Sequence, residues 1–186
     1  MITNQDSKEL KFLSNEQIKE IAPTVFATEP SKDVSKHYTH IPTAQVIEDM
    51  NKLGWGVVDA QQVKARKDTT KGFQKHLVTF RNPDVVINGE DGDTVFPQVL
   101  LTNSHDGKNA FTFTAGLFRL VCSNGLVIAT ETFSDVKMRH MGYTFEDLQV
   151  QIKNMVEQLP LTVESMNKMK AVELNKEQMK ELAEKS

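Results

Sequence analysis

The side chains that could carry covalent chemistry are one cysteine and a few histidines. Cys122 is the only thiol in the chain, and an active cysteine needs a nearby histidine or a helix N-terminus to become a thiolate. His76, His105 or His140 could supply that partner. The residues around Cys122 are apolar, however, and they carry no local signature of a cysteine hydrolase. We therefore interpret Cys122 as a small buried hydrophobic residue and keep a Cys/His hydrolase as the weakest alternative.

Metal and nucleotide chemistry have little support in the sequence. His37 and His40 are three positions apart, and Asp106 follows His105, but no spacing matches a metal signature such as H-E-x-x-H. A single cysteine also excludes a paired-cysteine zinc finger. The glycine-rich phosphate loop, the dinucleotide fingerprint and the nucleophile elbow are all missing. We predict no catalytic residue, no metal and no cofactor, and expect a protein that is not an enzyme.

A local concentration of positive charge is the stronger signal. Residues 64–81 carry six Lys or Arg and one Asp, although the whole chain has a net charge of −3. A negative net charge excludes a general polyanion binder, but a local patch of positive charge can still attract phosphate groups. Phe73 lies inside the patch and could stack on a base. The alternative is a hairpin whose charges are simply solvated. The predicted nucleic-acid-binding residues are Lys64, Arg66, Lys75, Arg81, Arg119 and Arg139.

Composition limits the class of protein. The chain has 186 residues, of which 39% are hydrophobic and 25% charged, as in an ordinary soluble globular domain. No apolar run approaches the roughly 18 residues that a membrane span needs. The first residues have no basic and apolar leader, so we expect no secretory signal and no membrane partner. A single cysteine fits a reducing cytoplasm.

The N-terminal half contains two predicted helices. Ser14 is expected to cap a short helix over residues 15–22, which Pro23 ends. Residues 28–36 are polar and read as a loop. Thr43 is the expected N-cap of the next helix, and Gly54 its left-handed stop.

From residue 55 the hydrophobic period changes to two, which predicts antiparallel strands. The first two should pair around a turn at 68–72 and gather the cations near one face. Asp106 and Gly107 mark a second hairpin turn, and residues 89–93 read as a loop. Residues 116–123 fit either a strand or a short buried helix. The predicted strands cover residues 55–67, 73–82, 96–103, 108–115 and 126–141.

The C-terminal part is predicted to be helical. Thr144 and Asp147 form a capping-box pattern before an apolar stripe that Pro160 should end. Two shorter amphipathic helices are expected over 162–172 and 175–184. The predicted fold is α+β: an antiparallel sheet of about five strands in two hairpins, with a long C-terminal helix packed on it and short peripheral helices. We divide the chain into an N-terminal arm (1–40), the α+β domain (38–160) and C-terminal helices (161–186). The predicted core residues are Trp55, Phe80, Phe113, Phe118, Leu120, Val121, Leu148, Ile152 and Met155.

Residues 117–127, with the sequence LFRLVCSNGLV, resemble the signature of the phage/plasmid-like protein family, a domain of unknown function in phages, prophages and plasmids. Further similar features cover roughly residues 38–160. They are Ile41-Pro42-Thr43 at the start of a helix that ends at Leu53-Gly54-Trp55, His76 in a strand that ends at Phe80-Arg81, Asn103-Ser104-His105-Asp106-Gly107, and Arg139-His140. The resemblance implies a mobile element in a bacterial host and no assigned catalytic residues. The order of helix, strands and long helix is also similar to that of ring-forming annealing proteins of phages, an analogy of layout alone.

These observations together predict a non-enzymatic phage or prophage protein of the bacterial cytoplasm that binds nucleic acid. The expected ligand is single-stranded DNA, for binding or annealing. The alternative is a protein-interaction module that inhibits or modulates a host defence system, with a host or phage protein as its partner. A homo-oligomer is compatible with both hypotheses.

Overall fold

A five-stranded antiparallel sheet lies at the centre of the fold in the computed structural model, which describes residues 11–65, 71–88, 94–120, 127–138 and 144–170. Its strand order is β1-β2-β5-β6-β7, and β3 and β4 form a separate two-stranded ladder. The strands are β1 Gly56–Gln62, β2 His76–Arg81, β3 Ile87–Asn88, β4 Thr94–Val95, β5 Gln98–Asn103, β6 Phe111–Leu120 and β7 Val127–Met138. The helices are α1 Asn15–Ile21, a 3₁₀ turn Pro23–Phe26, α2 Thr43–Lys52 and α3 Phe145–Lys170. This arrangement confirms the predicted α+β class.

Several strand boundaries differ from the prediction. β1 ends at Gln62 instead of near residue 67, and β2 begins at His76 instead of residue 73. The Gln74 side chain accepts a 2.6 Å hydrogen bond from the Gly72 N–H and bends the chain before the strand. The ambiguous segment from residue 116 continues β6 as far as Leu120. Residues 121–123 and the predicted loop at 89–93 lie outside the described residues.

The two N-terminal helices begin and end through local hydrogen bonds. Ser14 and Gln17 form a reciprocal capping box that starts α1, as predicted. The prediction that Thr43 is an N-cap is wrong. Thr43 is the first helical residue after Pro42, and its hydroxyl bonds the His76 side chain instead of the helix backbone. Gly54 has φ +83° and ends α2 in a left-handed turn, as predicted.

Helix α3 is longer than the sequence predicts. Its N-terminal capping box is confirmed, because Thr144 and Asp147 exchange backbone-to-side-chain hydrogen bonds of 3.1 and 3.2 Å. The prediction that Pro160 ends the helix is wrong, since α3 continues to Lys170. Val163 extends the buried stripe beyond the proline, and the Asn167 amide donates to the Val86 carbonyl at 3.1 Å. Tertiary packing therefore outweighs the backbone hydrogen bond that proline removes. The helix predicted at 175–184 lies outside the described residues.

One hydrophobic cluster joins the sheet to the helices. Of the predicted core residues, six are buried in it: Trp55, Phe80, Phe113, Leu148, Ile152 and Met155. The side chains of Phe118 and Leu120, and Val121 altogether, lie outside the description. The cluster also contains Ile18, Ala22 and Val25, so the N-terminal segment packs against the sheet that follows it. In the described part of the chain, no helix combines the length and hydropathy that crossing a membrane requires.

Candidate functional site

The pairing register brings both predicted hairpins to one end of the sheet. Gln62 on β1 lies opposite His76 on β2, and His76 lies opposite Asn103 on β5. The same row continues across the sheet to Phe111 and Met138, which lie opposite each other. The β1–β2 connection and the β5–β6 loop therefore leave the sheet side by side. We call this edge, with the described residues 63–65, 71–75 and 104–110, the hairpin end.

Exposed lysines collect at the hairpin end. The Val63 N–H donates to the Lys75 carbonyl at 2.9 Å, so Lys64 and Lys75 lie on neighbouring segments of the backbone, just beyond the paired residues of β1 and β2. Both side chains are exposed, as is that of Lys71, and within the described ranges neither Lys64 nor Lys75 makes an ion pair. Lys108, in the neighbouring loop, has a loose pair with Asp106 at 3.8 Å. The hairpin end thus presents ammonium groups to solvent.

The other predicted binding residues lie elsewhere. Arg81 pairs opposite Gly56 at the far end of β2, about 20 Å from Lys75 by the rise of an extended strand. Its guanidinium lies against the Gln98 side-chain amide. Arg119 is three residues beyond Gly116, which pairs with Gln98, and so belongs to that far end as well. Arg66 and Arg139 lie outside the described residues. The fold brings together Lys64 and Lys75 and separates them from Arg81 and Arg119.

A buried polar network lies directly behind the hairpin end. His76 is 1% exposed; its Nε2 is 2.8 Å from the Thr43 hydroxyl, and its Nδ1 is 3.3 Å from the Gln74 carbonyl. Since a carbonyl only accepts, Nδ1 carries the proton and Nε2 accepts from Thr43. The Thr43 oxygen then accepts from the Asn103 amide at 3.0 Å. On the other side of the ring, Thr24 lies 3.2 Å from Nδ1.

Burial keeps His76 uncharged near neutral pH. Burial lowers the pKa of His76 to about 4, and the hydrogen bond to the Gln74 carbonyl offsets only part of that effect. His76 therefore adds no positive charge to the hairpin end and acts as a neutral hydrogen-bonding partner. The sequence left its chemical role open, and the geometry assigns it a structural one.

His105 connects the hairpin end to the N-terminal segment. Its ring lies between those of His40 and His76, with centroid distances of 4.8 and 5.2 Å. Its backbone N–H donates to the Phe73 carbonyl at 3.0 Å, and its carbonyl accepts from the Ser31 N–H at 2.8 Å. Burial lowers the pKa of His40, partly opposed by the Ala27 carbonyl and by Glu29.

The β5–β6 loop is folded by its own side chains. Ser104 donates to the Asp106 carboxylate at 2.8 Å, and the Lys108 N–H donates to the same oxygen at 3.1 Å. Gly107 has φ +72°, which supports the predicted Asp-Gly turn. Above the loop, the Tyr38 hydroxyl donates to the Ser104 carbonyl at 3.0 Å. Burial and the nearby Asp106 charge raise the pKa of Tyr38. This loop forms one wall of the hairpin end.

The sequence also raises two other kinds of chemistry, metal binding and Cys/His hydrolysis. Within the described ranges, no cluster of three or more His, Cys, Asp or Glu side chains could hold a metal ion. Cys122 and His140 lie outside the described residues, so the pairing that a Cys/His hydrolase needs remains a prediction.

The polar network was missed by sequence reasoning, although a signal for it was present. The segments that carry the family resemblance include residues 41–43, His76 and residues 103–107. All three meet in this network. A shared buried network explains why these motifs contain polar residues on separate elements and yet show no catalytic pattern.

The hydroxyl of Thr43 is the test of this network. We expect Thr43→Val to lower the free energy of unfolding by about 1–3 kcal/mol, because the His76 Nε2 loses its partner and remains buried. Thr28→Val, at an exposed loop position, is the matched control and should change stability little. Urea unfolding followed by circular dichroism measures both. Equal stability of the two variants would show that the network contributes nothing to the fold.

Comparison with known proteins places the chain among sequences without an assigned activity. The profile of a family described as Domain of unknown function (DUF932) matches residues 31–186. Two relatives from Escherichia coli (strain K12) are UPF0380 protein YafZ and UPF0380 protein YfjQ, 32% and 31% identical over 130 residues. Each alignment covers 70% of this chain and 45% of the relative, so the chain spans less than half the length of either. No solved structure matches.

Proposed function

We propose that this chain, which belongs to the DUF932 family of unknown function, binds single-stranded nucleic acid through the hairpin end of its sheet. The family match confirms the predicted resemblance to an uncharacterised family. The observation that supports this proposal is the pair of exposed lysines, Lys64 and Lys75, on neighbouring chains. A phage or prophage context, implied by the sequence resemblance, is part of the same proposal. Single-stranded DNA is the ligand to test first.

Electrostatics favours a local contact. Val63, the residue before Lys64, lies opposite Lys75, so the two lysines are diagonal neighbours on adjacent segments about 4.8 Å apart. Their long side chains can reach phosphates of one nucleic-acid strand that crosses this edge. Lys71 extends the positive edge. Because the whole chain has a net charge of −3, attraction is confined to this edge instead of being spread over the surface.

Phe73 supplies the preference for a single strand. Its side chain is half-buried between Lys71 and Lys75 in the chain, and the His105 N–H holds its carbonyl at 3.0 Å. A partly exposed ring on a fixed backbone can stack on an unpaired base, and such stacking contributes about 1–3 kcal/mol per base. The faces of bases within a duplex are already stacked on their neighbours. Single-stranded DNA therefore gains a contact that duplex DNA does not.

A paired charge reversal tests the proposal. We expect Lys64→Glu with Lys75→Glu to weaken binding of a single-stranded oligonucleotide at least about tenfold, measured by fluorescence anisotropy at two salt concentrations. Because each phosphate contact contributes a salt slope of about −0.7, losing two should flatten the slope by ~1.4. Phe73→Ala should also weaken binding, but with little change in the slope.

A matched control separates the site from overall charge. Lys153→Glu with Lys168→Glu makes the same change in net charge on exposed positions of α3 and should leave binding nearly unchanged. If the wild-type protein fails to bind single-stranded DNA at low salt, or if both double variants lose binding equally, the proposal is wrong.

A protein-interaction module that modulates a host defence system is the second candidate, and a different surface favours it. A cleft of about 370 Å³ lies between α2 and α3, with Val46, Leu53 and Ile152 among its apolar lining residues. Val150, on the same cleft, is 59% exposed. An exposed apolar side chain beside a cleft is typical of a surface that a partner protein covers. Val150→Asp should abolish a partner contact there and leave binding of DNA intact.

A further inference from the structure

The two edge strands of the main sheet, β1 and β7, differ in what lies along their outer sides. On β1, the Leu13 N–H donates to the Val57 carbonyl at 2.8 Å, and the Phe12 ring occupies the space that a Cβ on Gly56 would need. The N-terminal segment therefore covers that edge. On the opposite side, β7 pairs with β6, and in the described part of the chain no strand lies along its outer edge. On a strand of twelve residues, alternate N–H and C=O groups point away from β6, and no described backbone group bonds to them, so this edge can pair with another chain.

The side chains near the end of β7 have a self-complementary pattern. Asp135 and Lys137 are both exposed. Because successive side chains of a strand point to opposite faces, Asp135 and Lys137 share one face, and Val136 between them lies on the other. Their neighbours on β6 are Thr114 and Thr112, which carry no charge. No described residue forms an ion pair with either of them.

We propose that β7 pairs with β7 of a second copy of this chain, antiparallel, about a twofold axis at Val136. In this register each Val136 lies opposite its counterpart, Asp135 lies opposite Lys137 of the second copy, and Lys137 lies opposite its Asp135. Opposite charges that face each other across strands stabilise a pair, and a twofold axis makes the contact twice. An axis at Asp135 or at Lys137 would instead place like charges opposite each other. The occupant of this edge is thus a second copy, with its register set by charge.

The size of the contact determines the expected behaviour. The axis is close to the last residue of β7, so residues 134–138 of each copy overlap within the described strand. Such a short overlap predicts a weak dimer that forms as concentration rises. Sedimentation equilibrium should show an average mass that increases from 21.0 kDa towards twice that value. This inference does not depend on nucleic-acid binding, since neither residue belongs to the hairpin-end site proposed above.

A charge swap tests the register. Lys137→Glu places two acidic groups opposite each other at both contacts and should raise the dissociation constant of the dimer at least about tenfold. Asp135→Lys should do the same. The double variant Asp135→Lys with Lys137→Glu restores two opposite-charge pairs and should return the dissociation constant to within about threefold of the wild type. Lys36→Glu, at an exposed loop position, is the control and should leave association unchanged.

The results have distinct meanings. Restoration by the double variant would support the β7 register, because a loss of stability within each copy would not be reversed by swapping the charges. Circular dichroism of each variant confirms that the fold is retained. A wild-type protein that remains at 21.0 kDa at all concentrations would overturn the proposal. So would a dimer that is insensitive to Lys137→Glu, or a double variant that fails to restore association.

Discussion

Acidification from pH 7 to about pH 4 is expected to lower the free energy of unfolding by about 3 kcal/mol through His76 alone. Burial lowers the pKa of His76 to about 4 in the folded chain, whereas an exposed histidine titrates near 6.5. As the pH falls below about 6.5, the imidazole of His76 binds a proton in the unfolded chain but stays neutral in the folded chain until the pH approaches about 4. The stability that His76 contributes above that pH is therefore lost between about 6.5 and 4. The lowered pKa of His40 acts in the same direction.

Urea unfolding at a series of pH values, followed by circular dichroism, measures this effect. His76→Gln should be less stable near pH 7 but should show a flatter pH profile between about 4 and 6.5, because the group that titrates is gone. His37→Gln, at an exposed position, is the matched control and should keep the wild-type profile. Parallel profiles for wild type and His76→Gln would show that His76 is not the source of the acid sensitivity.

Truncation of Ile152 to alanine is expected to lower the free energy of unfolding by about 2–5 kcal/mol. The side chain is 3% exposed and belongs to the hydrophobic cluster that joins α3 to the sheet. Its removal costs the transfer free energy of the lost methylenes and leaves a cavity in a packed interior.

Val150→Ala is the natural control for this variant. Val150 is two residues away on the same helix, and it is 59% exposed. Its replacement should change stability by less than about 0.5 kcal/mol. Equal, small effects of both variants on the urea midpoint would contradict the packing of α3 on the sheet.

The elements that sequence reasoning predicts well are those set by local periodicity. The apolar stripe of α3 and its capping box are visible in the order of residues, and so is the glycine stop at Gly54. The errors arise where tertiary contacts override local preference. Pro160 does not end α3, because Val163 beyond it is buried. Thr43 does not cap α2, because its hydroxyl serves His76.

The candidate site was only partly predictable, for a geometric reason. A charge count over residues 64–81 treats Lys75 and Arg81 as neighbours, but an extended strand of six residues places them at opposite ends of the sheet. Lys64 and Lys75, by contrast, come together through the antiparallel pairing of β1 and β2, which the sequence does predict. Strand pairing, which a charge count does not contain, decides which cations share an edge.

The buried network around His76 also has a consequence for how quickly the chain folds. It joins Thr24 to Gln62, Thr43 to His76, and Asn103 to the Ile41 carbonyl, across separations of 38, 33 and 62 residues. Each of these bonds requires a long loop to close before its enthalpy is gained, and chains rich in such distant contacts fold in milliseconds to seconds. Stopped-flow refolding of this chain should therefore take milliseconds to seconds.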